Sequence, residues 1–233
     1  MKKTDKNIIM ITAGGVGQRF GADLPKQYCL LNGKPVIEYA VEAARNSRRA
    51  DAILVVADPA YHEMLREKYG VDVTASGQTL NETKRLGFDY IRENSGCERL
   101  VVTQAVQPTV TPEVIDRVFA CLEDGYDAVG CARKITDSLG SYDHWILDRE
   151  RFYTINPPEG FRFPLLDRCF RQDSKLTESI QQLPETSKIK LLFDVPYFDK
   201  ITYPEDLDRM EALLYLQSKQ RASAESEAGR ARP

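Results

Sequence analysis

IIMITAGGVGQRFGADLPKQY, residues 8–28, sets an apolar run from Ile8 to Ile11 directly against a loop with glycines at 14, 15, 17 and 21. A short apolar run bounded by glycine reads as a buried strand, and the carboxyl end of a strand is where open α/β sheets bind ligands. Glycine permits close backbone approach, which lets consecutive N–H groups face phosphate oxygens. Arg19 and Lys26 add two fixed positive charges beside the same loop. A plain strand-to-helix turn has no need of either cation, so the segment Ala13 to Gly21 is read as a cradle for the phosphates of a nucleotide.

Two familiar phosphate loops do not account for it. A Walker loop requires a glycine-lysine-hydroxyl triplet, and none follows these glycines. A dinucleotide fingerprint requires a third glycine where Phe20 stands.

Working outward, further short apolar runs recur at Ala52 to Val56, Val71 to Thr74, Leu100 to Val102, Ala128 to Cys131 and Ile189 to Phe193. They alternate with helical patterns. Val36 to Arg45 opens after Pro35, a second helix opens at Pro59, and Thr111-Pro112 supplies an N-cap hydroxyl and a proline at the first helical position. Strands alternating with amphipathic helices predict a three-layer, Rossmann-like α/β fold with a mostly parallel mixed sheet. Residues 137–163 are polar and aromatic with turn residues, which suits an arm leaving the sheet. Residues 217–233 are polar and are expected to be a disordered tail, leaving a domain over 1–216.

The composition restricts the function classes. With 32 basic and 35 acidic residues the net charge is −3, which gives the chain no general attraction for nucleic acid or anionic membranes. The first apolar run falls short of the roughly seven to fifteen residues of a secretory core, and no stretch approaches the ~20 of a membrane span. A cytoplasmic location is expected. Five cysteines at 29, 97, 121, 131 and 169, an odd number with no C-x-x-C pair, read as reduced thiols. His62 and His144 each stand alone. Trp145, Tyr142 and Phe152 suit an arm that packs against another subunit better than they suit base stacking.

The string A-G-G-x-G-x-R-F-G, then L-P-K-Q-Y and L-x-G-K-P-V-I-E-Y, resembles the start of the 2-C-methyl-D-erythritol 4-phosphate and ribitol 5-phosphate cytidylyltransferases. The resemblance continues through Ser76-Gly77, Asn81-Glu82-Thr83, Thr136-Asp137-Ser138 and Asn156 to Phe161. It ends in Lys200-Ile201-Thr202-Tyr203-Pro204-Glu205-Asp206-Leu207. It implies a glycosyltransferase-A-like nucleotidyltransferase domain with a protruding dimerisation arm, and transfer of CMP from CTP to a small phosphorylated acceptor with release of pyrophosphate. Magnesium is the expected cofactor and a homodimer the expected assembly. The implied phosphate-stabilising cations are Arg19, Lys26 and Lys200. Ala13, Gly14, Gly15, Gly17, Gly77 and Thr83 would bind the nucleotide, although Thr83 also suits an N-cap. Gln107, Ser138 and Arg149 would meet the acceptor, Arg149 from a neighbouring subunit.

The sequence departs from that family where its chemistry is concentrated. The family motif H-D-A-x-R-P reads here Thr103-Gln104-Ala105-Val106-Gln107-Pro108, so Gln104 replaces the metal-binding carboxylate and Gln107 replaces an arginine. Leu80 likewise replaces an arginine, and Glu178-Ser179 replaces an acidic pair. An amide oxygen ligates magnesium without the charge that this hard cation favours, and an amide cannot pair bidentately with phosphate. Three readings stay open on the sequence: an active cytidylyltransferase, a nucleotide-binding protein that no longer catalyses, and an interaction subunit in which the loop is only a turn.

Overall fold

Strand β1 (Asn7–Ala13) is buried along its whole length, as an unbroken apolar run requires of a strand covered on both faces. Ile9 and Ile11 enter one core cluster, while Ile8 and Met10 enter another on the opposite face. After it come β2 (Leu30–Leu31), β3 (Lys34–Pro35), α1 (Val36–Arg45), β4 (Ala52–Ala57), α2 (His62–Tyr69), β5 (Asp72–Ala75) and α3 (Leu80–Asn94). The chain continues through β6 (Arg99–Gln104), α4 (Pro112–Glu123), β7 (Ala128–Lys134), β8 (Tyr153–Arg162), α5 (Phe163–Cys169), β9 (Ile189–Leu192) and α6 (Asp206–Arg230). This computed structural model describes residues 6–15, 24–143, 147–195 and 199–230, with side chains as far as Ser223.

Among the described residues the main sheet has seven strands in the order β5-β4-β1-β6-β8-β7-β9, and β2 pairs with β3 apart from it. Strands β5, β4, β1 and β6 run parallel, and β8 is antiparallel to β6 and β7. Helices α1, α2 and α4 pack on one face, and α3 and α5 on the other. The three-layer α/β fold with a mostly parallel mixed sheet is therefore present. No helix among the described residues is long and apolar enough to cross a membrane.

Three expectations need correction. Residues 153–163 are not part of an arm: Tyr153–Arg162 is β8, lying between β6 and β7, so the excursion is confined to the connection 135–152. Two prolines hid this strand. The β7 ladder passes from Gly130 opposite Glu159 to Cys131 opposite Asn156, so Pro157 and Pro158 fall in the irregularity, where no ladder N–H is required of them. The tail from 217 is not disordered up to Arg230, because α6 continues through it. Ala, Glu, Lys, Gln and Arg are good helix formers without being apolar, and Gln217 Nε2 donates to the Thr109 carbonyl at 2.9 Å. Finally, Thr83 is not the cap of α3. Thr79 is, its hydroxyl accepting from the Glu82 amide while Glu82 reaches back to the Thr79 amide.

Gly160 lies in β8 directly beneath α4, where an added Cβ would sit 2.2 Å from Val118 Cγ1 and 3.1 Å from Leu122 Cδ1. Val118 is β-branched and holds a single rotamer in a helix, so it cannot swing away. Gly160→Ala is expected to destabilise the fold by about 1–3 kcal/mol. The check is urea denaturation, which should show a lower midpoint at unchanged slope.

Candidate active site

The chain leaves β1 for β4 and β5 on one side, then crosses to β6 on the other. The loops after β1 and β6 consequently diverge, and the crevice at their carboxyl ends is the topological switch point of the sheet. A cavity of about 250 Å³ lies there, walled by Thr12 to Gly15, Lys26, Gln27, Gly77 to Leu80, Thr83, Gln104, Val106, Lys200 and Thr202.

The local structure that shapes this cavity is specific. Gly14 must be glycine, because a Cβ there would stand 2.2 Å from the Cβ of Ser76 in the loop after β5. Gln27, almost fully buried, donates its single amide group to the Ala13 carbonyl at 2.7 Å and the Gly15 carbonyl at 3.0 Å. That ties the start of the glycine loop to the Lys26–Tyr28 turn. Thr83, one turn into α3, accepts from the Gly77 amide at 3.1 Å and so joins the loop after β5 to the helix.

Lys26 Nζ donates to the Ile201 carbonyl at 2.8 Å. Ile201 is fully buried with Leu31, Val36 and Met210, and its amide donates to the Val106 carbonyl at 2.9 Å. The Asp206 carboxylate accepts from the Thr202 and Tyr203 amides at 2.7 and 2.8 Å, fixing the next two residues. Lys200 is thereby brought to the same wall as Lys26. Two lysines facing one cavity whose described lining carries no carboxylate create a local anion site, although the whole chain is slightly acidic.

The cavity thus gathers Ala13, Gly14, Gly15, Lys26, Gly77, Thr83, Gln104 and Lys200 from distant parts of the sequence. Arg19 and Gly17, as well as His144 and Trp145, lie outside the described residues. Gln107 does not line the cavity. It is fully buried, with Nε2 donating to the Pro157 carbonyl at 3.0 Å and Oε1 unbonded, so its amide braces β8. Ser138 is exposed in the connection beyond β7. Arg149 binds the Thr136 carbonyl within that connection and borders a separate cavity of about 110 Å³. Neither lines the switch-point cavity within one chain.

A second cavity, of about 440 Å³, adjoins the first through Lys200 and is lined by Arg151, Tyr153, Asn156, Thr177, Glu178 and Gln181 among others. Arg151, two residues beyond Arg149, is therefore the arm arginine on the same cavity as Lys200. Sequence reasoning missed it, and it also missed Gln27; the spacing R-E-R-F and the L-P-K-Q-Y string held the available signals.

The donors present are poor ones for magnesium. Gln104 offers one amide oxygen, its Nε2 is buried without a hydrogen-bond partner, and no Asp or Glu among the described residues lines the switch-point cavity. Magnesium is usually held through one or two carboxylates together with substrate phosphates. The described residues do not fit a protein-held magnesium.

The fold, the switch-point cavity and the paired lysines define a nucleotide-using transferase of the nucleotidyltransferase class. Residues 7–216 match the family model for 2-C-methyl-D-erythritol 4-phosphate cytidylyltransferase, and the chain belongs to that family. It is 33% identical over 177 residues to the 2-C-methyl-D-erythritol 4-phosphate cytidylyltransferase of Porphyromonas gingivalis, covering 72% of this chain and 77% of that protein. The Bacillus mycoides enzyme of the same name is 27% identical over 91% of this chain and 99% of its own. The fold is also that of the 4-diphosphocytidyl-2C-methyl-D-erythritol synthase of Anaerococcus prevotii, with a TM-score of 0.76, 22% identity, and coverage of 91% and 96% of the two chains.

Since Gln27 holds the Ala13 and Gly15 carbonyls at the start of the glycine loop, Gln27→Met is expected to weaken CTP binding by about 1–2 kcal/mol, the worth of one or two hydrogen bonds. Titration calorimetry checks it; an unchanged dissociation constant would show that the loop keeps its shape without this anchor.

Proposed function

We propose that the protein transfers CMP from CTP to 2-C-methyl-D-erythritol 4-phosphate or a closely related sugar-alcohol phosphate. The observation that carries this reading is the convergence of Lys26 and Lys200 on the cavity bounded by the glycine loop. In it the triphosphate lies along Ala13 to Gly15 with its charge against the two ammonium groups. The second cavity receives the acceptor, whose phosphate points toward Lys200, the residue the two cavities share.

An acceptor phosphate oxygen attacks the α-phosphorus of CTP. The new P–O bond forms as the bond to the β-phosphate bridging oxygen breaks, and pyrophosphate leaves with the electron pair. A phosphate monoester is mostly ionised at neutral pH, with a second pKa of about 6, so the nucleophile needs no general base. Such transfer depends on placement and charge stabilisation. Lys26, held by the Ile201 carbonyl, and Lys200 beside it supply fixed charge where negative charge builds up in transfer. The exposed Phe152, Tyr153 and Phe193 about the arm support a homodimer formed through that region.

Pyrophosphate release with CTP and magnesium, measured with 2-C-methyl-D-erythritol 4-phosphate and with ribitol 5-phosphate, tests the reading. Release with either acceptor is expected, whereas CTP binding without release would leave a nucleotide-binding protein. Lys26→Ala should lose about 1.5–3 kcal/mol of CTP affinity, a charged hydrogen bond's worth; no loss in calorimetry would contradict its role. Gln104→Asp should lower the magnesium concentration needed for half-maximal rate, because it restores a charged oxygen ligand. A metal titration showing no change would mean that position 104 does not approach the ion.

A further inference from the structure

Lys84 on α3 and Glu159 on β8 are enclosed together, 1% and 0% exposed, with Nζ and carboxylate 3.9 Å apart. Each has a nearer partner than the other. Lys84 Nζ donates to the Thr177 carbonyl at 2.7 Å, and the Glu159 carboxylate accepts from the Ser179 and Ile180 amides at 3.2 and 3.1 Å. Asn81, three residues before Lys84 and on the same side of α3, donates to the Ser174 and Leu176 carbonyls at 2.9 and 3.0 Å. Residues 174–180 thus form a strap held to α3 and β8 at five backbone atoms.

Stability does not explain such a pair. Enclosing two charges costs desolvation free energy, and well-packed apolar residues of similar volume often serve as well or better. Charged groups supply instead a directional grip on particular backbone atoms. The outer side of the strap they grip is part of the second cavity, since Thr177 and Glu178 line it together with Lys200. One residue before Lys84, Thr83 accepts from the Gly77 amide in the nucleotide cavity. Adjacent residues of α3 therefore hold the two cavities.

We infer that Lys84, Glu159 and Asn81 are positioning residues that set the acceptor-side wall against the nucleotide cavity and so fix acceptor preference. The inference rests on the proposed role of the second cavity. Two charged groups face the Glu159 carboxylate: Lys84 from α3 and Glu178 from the strap. This carboxyl is pushed up to about 7, chiefly by burial, with Lys84 drawing it down and Glu178 pushing it up. The carboxylate is therefore ionised, and its grip on both amides and on Lys84 is full, above that pH. Its folded pKa is raised, so Glu159 takes up protons on folding between the ordinary glutamate range and about 7, and its contribution to stability falls as pH rises through that window. Grip and stability change in opposite directions, which a simple structural prop would not produce.

Steady-state kinetics with CTP and 2-C-methyl-D-erythritol 4-phosphate as probe, on wild type, Lys84→Met, Glu159→Gln and the double variant, test the inference. Acceptor KM should rise about tenfold or more in each single variant through misplacement of the wall, while CTP KM stays within about twofold and the double variant resembles the singles. In wild type the acceptor KM should climb between about pH 8 and pH 6. In Glu159→Gln it should be high throughout, leaving only the titration of the acceptor phosphate common to both. Glu159→Gln keeps the side-chain shape, so the comparison stands even if Lys84→Met fails to fold. Equal rises in both KM values, or no change in a folded variant, would overturn the inference while leaving the proposed function intact. A wild type that releases no pyrophosphate with either 2-C-methyl-D-erythritol 4-phosphate or ribitol 5-phosphate overturns both.

Discussion

Strand β1 is sealed on both faces and hydrogen-bonded to parallel neighbours on both edges, so the chain must leave it at one place, after Ala13. That constraint sets the rest of the site. A strand with no free face or edge cannot slip without exposing apolar side chains or losing ladder bonds, and Gly14 then has to pass Ser76 at a distance only glycine tolerates. The loop after β5, the start of α3 and the end of β6 take their places about that exit.

Charge in the site is local and anchored. The chain carries more acidic than basic residues, yet the described walls of the nucleotide cavity bear two lysines and no carboxylate. Lys26 reaches the cavity because Tyr28, at the end of its turn, and Leu31, in the hairpin that follows, are buried. Lys200 reaches it because Ile201 is buried under α6. The hydrogen bond from Lys26 to the Ile201 carbonyl joins these two segments at the cavity. The long C-terminal helix, none of whose described residues lines the cavity, therefore holds 200–203 in place.

Glutamine has two different fates in this site. At 104 it faces the cavity with a neutral amide, and at 107 it turns inward to hold β8 through the Pro157 carbonyl. Among the described residues, the charged side chains on the second cavity are Lys200, Arg151 and Glu178, with Lys84 and Glu159 buried behind the strap that walls it.

Much of this was legible in the amino-acid order because the signals were local. Apolar runs ending at glycine mark strands, Thr111-Pro112 marks a helix start, and A-G-G-x-G with Lys26 marks an anion cradle, each within a few residues. β8 was not legible, since its two prolines are tolerated only at an irregularity created by β7, a neighbour more than twenty residues away in sequence. The helical continuation past Gln217 was hidden because helix propensity, not hydrophobicity, carries it. The inward turn of Gln107, the place of Arg151 on the second cavity and the meeting of Lys84 with Glu159 depend on which way a side chain points after the sheet has formed. Sequence by itself determined where a glycine loop with an adjacent lysine would end the first strand, because backbone conformation and adjacent charge are short-range properties. Only the tertiary structure decided what stands opposite that loop, because that wall is assembled across strands and helices whose contacts no local pattern encodes.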